Sequence, residues 1–161
     1  MSVNRYRRHV FVLPEDDANH RIANGFLLEP SVSLWRISVL NEAGGWNEVV
    51  ESFEKVYQKE MERFPETFMV LLIDFDKDEN RGAFVRTKIP AHLSHRVFVL
   101  GALSEPEELI KDPKRSYETI GLALAKDCRD GTDEAWSHEL LRHNAPEVLR
   151  LREHVRPILF P

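Results

Sequence analysis

The sequence predicts a three-layer α/β fold: a mainly parallel four-stranded sheet covered by helices on both faces, with extra helices at the C-terminus. Three observations predict it. Short unbroken apolar runs recur at residues 9–13, 68–73 and 96–101, and such runs fit strands buried on both faces. Segments of helical periodicity lie between them. Strand and helix alternate four times, which demands crossover connections and therefore parallel pairing.

Each element follows from local chemistry. Residues 9–13 (His-Val-Phe-Val-Leu) form the first strand. A helix over 17–29 carries Ile22, Phe26 and Leu27 on one side, with Asp16 or Asp17 as its N-cap. The Glu29-Pro30 step ends it, because a residue before proline avoids the helical region. Residues 34–40 alternate imperfectly and read as the second strand. The strongest helix covers 47–64, where Val49, Val50, Phe53, Val56, Tyr57, Met61 and Phe64 recur at helical spacing. Glu51 and Lys55 add an i,i+4 ion pair on its outer face. Pro65 closes it, and the third strand runs over 67–73. A short helix over 79–93, broken by Pro90, leads to the fourth strand at 96–101. Ser104 to Leu109 reads as a cap and first turn, with Pro106 early and acids against the positive helix end. A helix over 116–127 follows, and residues 133–155 are helical with interruptions at Asn144 and Pro146.

With 161 residues the expectation is one domain, residues 1–161, with a core over about 8–126 and a helical extension over about 127–161. A chain of this length buries about 70% of its unfolded surface and needs no staples. The net charge of −5 argues against a strong autonomous grip on nucleic acid, although bound cations and local Lys or Arg can offset it. Cys128 is the single cysteine, which excludes a disulfide framework and a cysteine-based zinc site and points to a reducing, cytoplasmic setting. No apolar segment approaches the length of a signal peptide core or a membrane span, so no membrane partner is expected. Repeats and low-complexity tracts are absent from the sequence.

Chemistry concentrates in two acidic clusters. The first strand leads into Pro14-Glu15-Asp16-Asp17, and the third into Asp74-Phe75-Asp76-Lys77-Asp78. On neighbouring parallel strands, Glu15, Asp74 and Asp76 emerge at the carboxyl edge, where open α/β sheets hold ligands. Gathered carboxylates repel unless they share a proton or a cation. All-oxygen ligands favour Mg²⁺ or Mn²⁺. The competing reading makes these acids turn and N-cap residues that favour the next helix through its dipole. Asp16, Asp17, Asp78 and Glu105 are additional candidate acids, with Glu107 beside the last. Lys77, Arg81 and Arg86 follow the D-x-D and are placed to meet phosphate.

A glutamate after the first strand and a D-x-D after the third, within four β-α units, resemble the Toprim (topoisomerase–primase) domain. That family includes OLD-type nucleases and small stand-alone proteins, some in phage defence. The resemblance covers about residues 8–126. It implies a Toprim or Rossmann-like sheet, Glu15 as the catalytic acid/base, and Glu15, Asp74 and Asp76 as ligands of Mg²⁺ or Mn²⁺. It further implies phosphoryl transfer, nuclease-like, on nucleic acid. Asp78 extends the acidic run as in parts of the family. The family glutamate is usually followed by glycine, whereas Asp16 follows here. That departure leaves open a non-catalytic, oligomeric Toprim-shaped module serving a protein partner in a larger assembly.

Rival motifs fit less well. A phospho-accepting receiver would use Asp16, Asp17 and Asp74, but the fourth strand ends Leu100-Gly101-Ala102 without a hydroxyl, and no fifth strand with Lys-Pro follows. A haloacid-dehalogenase site needs a threonine that the D-x-D lacks. An EF-hand fails at its sixth and twelfth positions, Glu79 and Val85. His138 and His143 are five apart and do not share a helix face, so they read as surface or packing residues. Cys128 has no base beside it in sequence. No glycine-rich phosphate loop occurs.

Overall fold

The computed structural model describes residues 2–78, 80–111 and 114–161. Its centre is a four-stranded, wholly parallel sheet in the order β2-β1-β3-β4, formed by β1 (His9–Pro14), β2 (Ile37–Val39), β3 (Thr67–Leu72) and β4 (Val97–Leu100). Val10 aligns with Ile37 on one side and Phe68 on the other, and Met69 aligns with Val97. Both faces are apolar, which explains the unbroken runs. Val10, Val12, Val70 and Phe98 look toward α1 (Asp17–Phe26), α5 (Tyr117–Asp130), α6 (Ala145–His154) and α7 (Arg156–Leu159). Phe11, Leu13, Met69, Leu71 and Val99 look toward α2 (Trp46–Ser52), α3 (Gln58–Arg63) and α4 (Asn80–Thr87). The predicted three-layer α/β architecture with C-terminal helices is therefore present. No helix among the described residues is long and apolar enough to cross a membrane.

Several elements depart from their expected bounds, and the first helix, predicted over 17–29, ends already at Phe26. Only Ile37–Val39 pairs in β2, because Leu34–Arg36 winds into a 3-10 turn and leaves Trp35 69% exposed. The long second helix is interrupted by a π turn at Phe53–Tyr57. That extra residue shifts the buried stripe, so Met61 is sealed while Val56 is 52% exposed. The predicted helix over 133–155 starts only at Ala145. Asp127 supplies the reason, since its buried carboxylate accepts the N–H groups of Glu134, Ala135 and Trp136 and the Thr132 hydroxyl. Those donors are thereby fixed in turns rather than in a helix. For the helix predicted over 79–93, α4 covers Asn80–Thr87, and the predicted first residue Glu79 lies outside the described residues.

α1 and α5 meet backbone to backbone. A methyl group on Gly121 would stand 1.9 Å from the Ile22 carbonyl oxygen, and one on Gly25 would stand 2.1 Å from that of Glu118. Glycine at both points is what lets the two helices approach, and the approach fixes where the N-terminus of α1 sits at the carboxyl edge of the sheet.

The two sheet edges are treated differently. On β4, the Val97 N–H bonds back to the Ser94 carbonyl and the Val97 carbonyl accepts from Arg150 at 3.4 Å, while the Val99 N–H and both Gly101 groups meet side chains at the start of α6. Glu147 accepts the Val99 N–H at 2.8 Å. Asn144 accepts the Gly101 N–H at 3.2 Å and donates to its carbonyl at 2.9 Å. The C-terminal helices thus cover one face and close one edge.

Candidate metal centre

β1 ends at Pro14, and the chain turns at once into α1. Glu15 still extends the ladder, since its N–H donates to the Leu72 carbonyl at 2.9 Å. Asp16 is extended and caps α1, accepting the Asn19 N–H at 3.0 Å. The N-cap reading of this acid is therefore correct, and it coexists with a second role. One oxygen each from Glu15, Asp16 and Asp74 lie within 4.8 Å of one another.

Three hydrogen bonds hold this group. Glu15 Oε2 accepts the Asp74 backbone N–H at 2.6 Å, tying the end of β1 to the end of β3. The Asn19 side-chain amide donates to Asp16 Oδ1 at 3.1 Å and to Asp74 Oδ1 at 3.0 Å. Asn19 is 1% exposed, so a buried amide spends both its protons on neighbouring carboxylates. The second oxygens of Asp16 and Asp74 remain for a shared proton or a cation. Burial pushes the Glu15 carboxyl up from its ordinary range, partly opposed by the Asp74 N–H. Burial pushes Asp74 up to about 7, with Asp16 and Glu15 adding repulsion. Three oxygen donors in a half-buried setting, carrying more negative charge than the fold neutralises, fit a hard divalent cation.

The D-x-D does not converge as a pair. Past β3 the chain keeps bonding to the segment after β4, with Phe75 N–H on the Ala102 carbonyl at 2.9 Å. Phe75 is buried against the His143 ring at 4.7 Å, which makes that histidine a packing residue. Asp76 and Lys77 then adopt left-handed backbone, at φ 49° and 60°. This turns Asp76 away from Asp74, leaving its side chain 76% exposed and 3.8 Å from Arg81. Asp76 lies outside the acidic cluster, whose third member is Asp16. Consecutive left-handed non-glycine residues are a local strain that the pattern of letters does not reveal.

The remaining candidates are placed as follows. Asp17, Lys77, Asp78, Glu105 and Glu107 are exposed. Asp78 accepts the Asn80 N–H at 3.0 Å at the start of α4, a capping role. Arg81 donates to the Asp74 carbonyl at 2.7 Å and stacks 4.6 Å from the Trp46 ring, which anchors a cation at the rim of the cluster. Arg86 pairs instead with Glu147, away from the site. Cys128 is buried, and burial raises its thiol to about 11, so it is no nucleophile. Asn19 was missed by sequence reasoning. Its only signal is a position three residues after the capping acid.

The raised Asp74 value has a testable consequence. Its ordinary value is 3.8 and its folded value about 7. Between the two, the folded chain retains a proton that the unfolded chain has released, so stability falls as pH rises through that window. A bound cation takes the place of that proton. The Mg²⁺-dependent gain in Tm is therefore expected to be larger at about pH 8 than at about pH 6. Melting curves with and without Mg²⁺ at both pH values check this, and a gain independent of pH contradicts it.

Comparison of the chain with family models, with curated proteins and with solved structures returns no match.

Proposed function

We propose that this chain is a Toprim-like, divalent-metal-dependent phosphoryl-transfer protein acting on nucleic acid. The observation that supports the reading most is the meeting of Glu15 with Asp74 and Asp16 across β1 and β3, at the edge where such sheets bind ligands. Asp74 and Asp16, with Glu15, are the residues to hold Mg²⁺ or Mn²⁺. The cation would polarise a phosphodiester oxygen and steady the charge that develops there. Glu15, whose burial raises its proton affinity above the ordinary carboxylate range, is suited to accept or deliver a proton. Asn19 fixes the orientation of both aspartates. Arg81, held by Trp46 and the Asp74 carbonyl, presents positive charge to a phosphate at the rim.

The test is incubation of plasmid, single-stranded DNA and RNA with the protein and Mg²⁺ or Mn²⁺. Metal-dependent cutting that disappears in Glu15→Gln is the expected result. Metal binding without cutting of any of them would leave a non-catalytic module and remove the nuclease reading.

The membership of the cluster favours a second reading. Two consecutive acids after β1 and one aspartate after β3 also suit a phospho-accepting site, with Asp74 as acceptor. The absence of a hydroxyl at Gly101-Ala102 counts against it. Incubation with acetyl phosphate and Mg²⁺ separates the two, because only this reading predicts an acid-stable, hydroxylamine-sensitive phosphate on Asp74.

A further inference from the structure

We propose that β2 is a self-association edge, on which a second copy of this chain adds its own β2 in antiparallel orientation to give a continuous eight-stranded sheet. The register of β2 on β1 settles which groups are used internally. The Leu40 N–H donates to the Val12 carbonyl at 2.8 Å, and Phe11 aligns with Ser38. In a parallel ladder of that register the N–H and C=O of Ser38 point inward, and those of Ile37 and Val39 point outward. Among the described residues nothing bonds to these outward groups. The other edge of the sheet is sealed by Asn144 and Glu147, so the molecule closes β4 and leaves β2 open. An open strand edge is a template for pairing with another chain.

A second copy is the occupant that fits. A twofold axis at Ser38 sets Ile37 opposite Val39 of the other copy, and the reverse. Each such pair exchanges both its N–H···O bonds, which satisfies every outward group on the edge. The same axis brings the turn that carries Arg36, just before β2, to the end of the partner's β2 that leads into Glu42. No ion pair involves Arg36 within the described chain, whereas Glu42 is exposed and shared only with His20. Opposite charge at the two ends of one strand is complementary to itself only in the antiparallel arrangement. Trp35, 69% exposed at the same end, gains cover from the partner. The seam is short, since β2 pairs over three residues, so the dimer is weak and forms at high protein concentration. The acidic clusters then lie at opposite edges of the joined sheet and act independently of it.

Sedimentation analysis of the full chain, from low to several hundred micromolar, tests this. A reversible monomer–dimer equilibrium is expected. Val39→Pro removes one outward donor without touching a bond to β1; it trims packing against the core and so lowers the melting temperature, while the metal response should persist and dimerisation is lost. Arg36→Glu should weaken the dimer several-fold, and Arg36→Glu with Glu42→Arg should restore it. Where a variant melts early, the rescue by the double exchange is the deciding measurement. A strict monomer at all concentrations, or a dimer unchanged by both Val39→Pro and Arg36→Glu, overturns the proposal.

Discussion

Asp74→Asn is expected to abolish the Mg²⁺- or Mn²⁺-dependent rise in melting temperature and, at about pH 8, to leave the metal-free protein as stable as the original or more so. Both effects come from the same geometry. Asp74 carries a carboxylate that the fold penalises, since burial and its acidic neighbours push its proton affinity up. Asparagine keeps the oxygen that accepts from Asn19 and keeps the backbone N–H that Glu15 binds, so the local hydrogen bonds survive. It removes the repulsion and the charge a cation needs. A stabilising change that destroys a binding response is the mark of a residue kept for function. Asp76→Asn is the matched control. Its side chain is exposed outside the cluster, and the metal response should persist. Thermal melts of the original and both variants, with and without metal, measure this. Loss of the response in Asp76→Asn alone would place the cation elsewhere.

Asp127→Ala should have the opposite character. This carboxylate is 2% exposed, yet it accepts three backbone N–H groups and the Thr132 hydroxyl. Its removal leaves those donors without their acceptor. A loss of about 3 kcal/mol is expected, since each buried unsatisfied donor costs about 1–3 kcal/mol and the turn can partly re-solvate. For a chain of this size that corresponds to roughly 6–12 °C in melting temperature. Asp127→Asn, which retains one acceptor oxygen, should lose less. The metal response should survive in both, because neither Asp127 nor the groups it binds, Thr132 and Glu134 to Trp136, belong to the acidic cluster. Chemical denaturation gives the stability change, and a loss under about 1 kcal/mol for the alanine variant would contradict this role.

The contrast between these two aspartates shows what the sequence made legible. The sheet was readable because each strand is buried on both faces, so its apolar run is unbroken and bounded by turn residues. Glu15 and Asp74 were readable because parallel strands put their carboxyl ends on one edge. The fate of Asp76 was not, because a left-handed turn at Asp76 and Lys77 is set by bonds to the segment after β4. Asp16 was read as both cap and candidate acid, and it serves as cap while joining the cluster. Asn19 was invisible, since its role depends on an aspartate 55 positions away. The π turn at Phe53–Tyr57 escaped for a different reason. Periodicity tolerates one inserted residue without losing its apolar count, and only the exposure of Val56 betrays the slip. The closure of the β4 edge depends on side chains more than forty positions away, a distance over which no local pattern speaks.

The central claim is the position of one cation. Anomalous diffraction from crystals soaked in Mn²⁺ at about pH 8, above the folded proton affinity of Asp74, locates it directly. A single peak bounded by Glu15, Asp16 and Asp74, with Asp76 remaining turned outward, is the result expected. A peak on Asp76 and Asp78, or none between β1 and β3, would contradict the account.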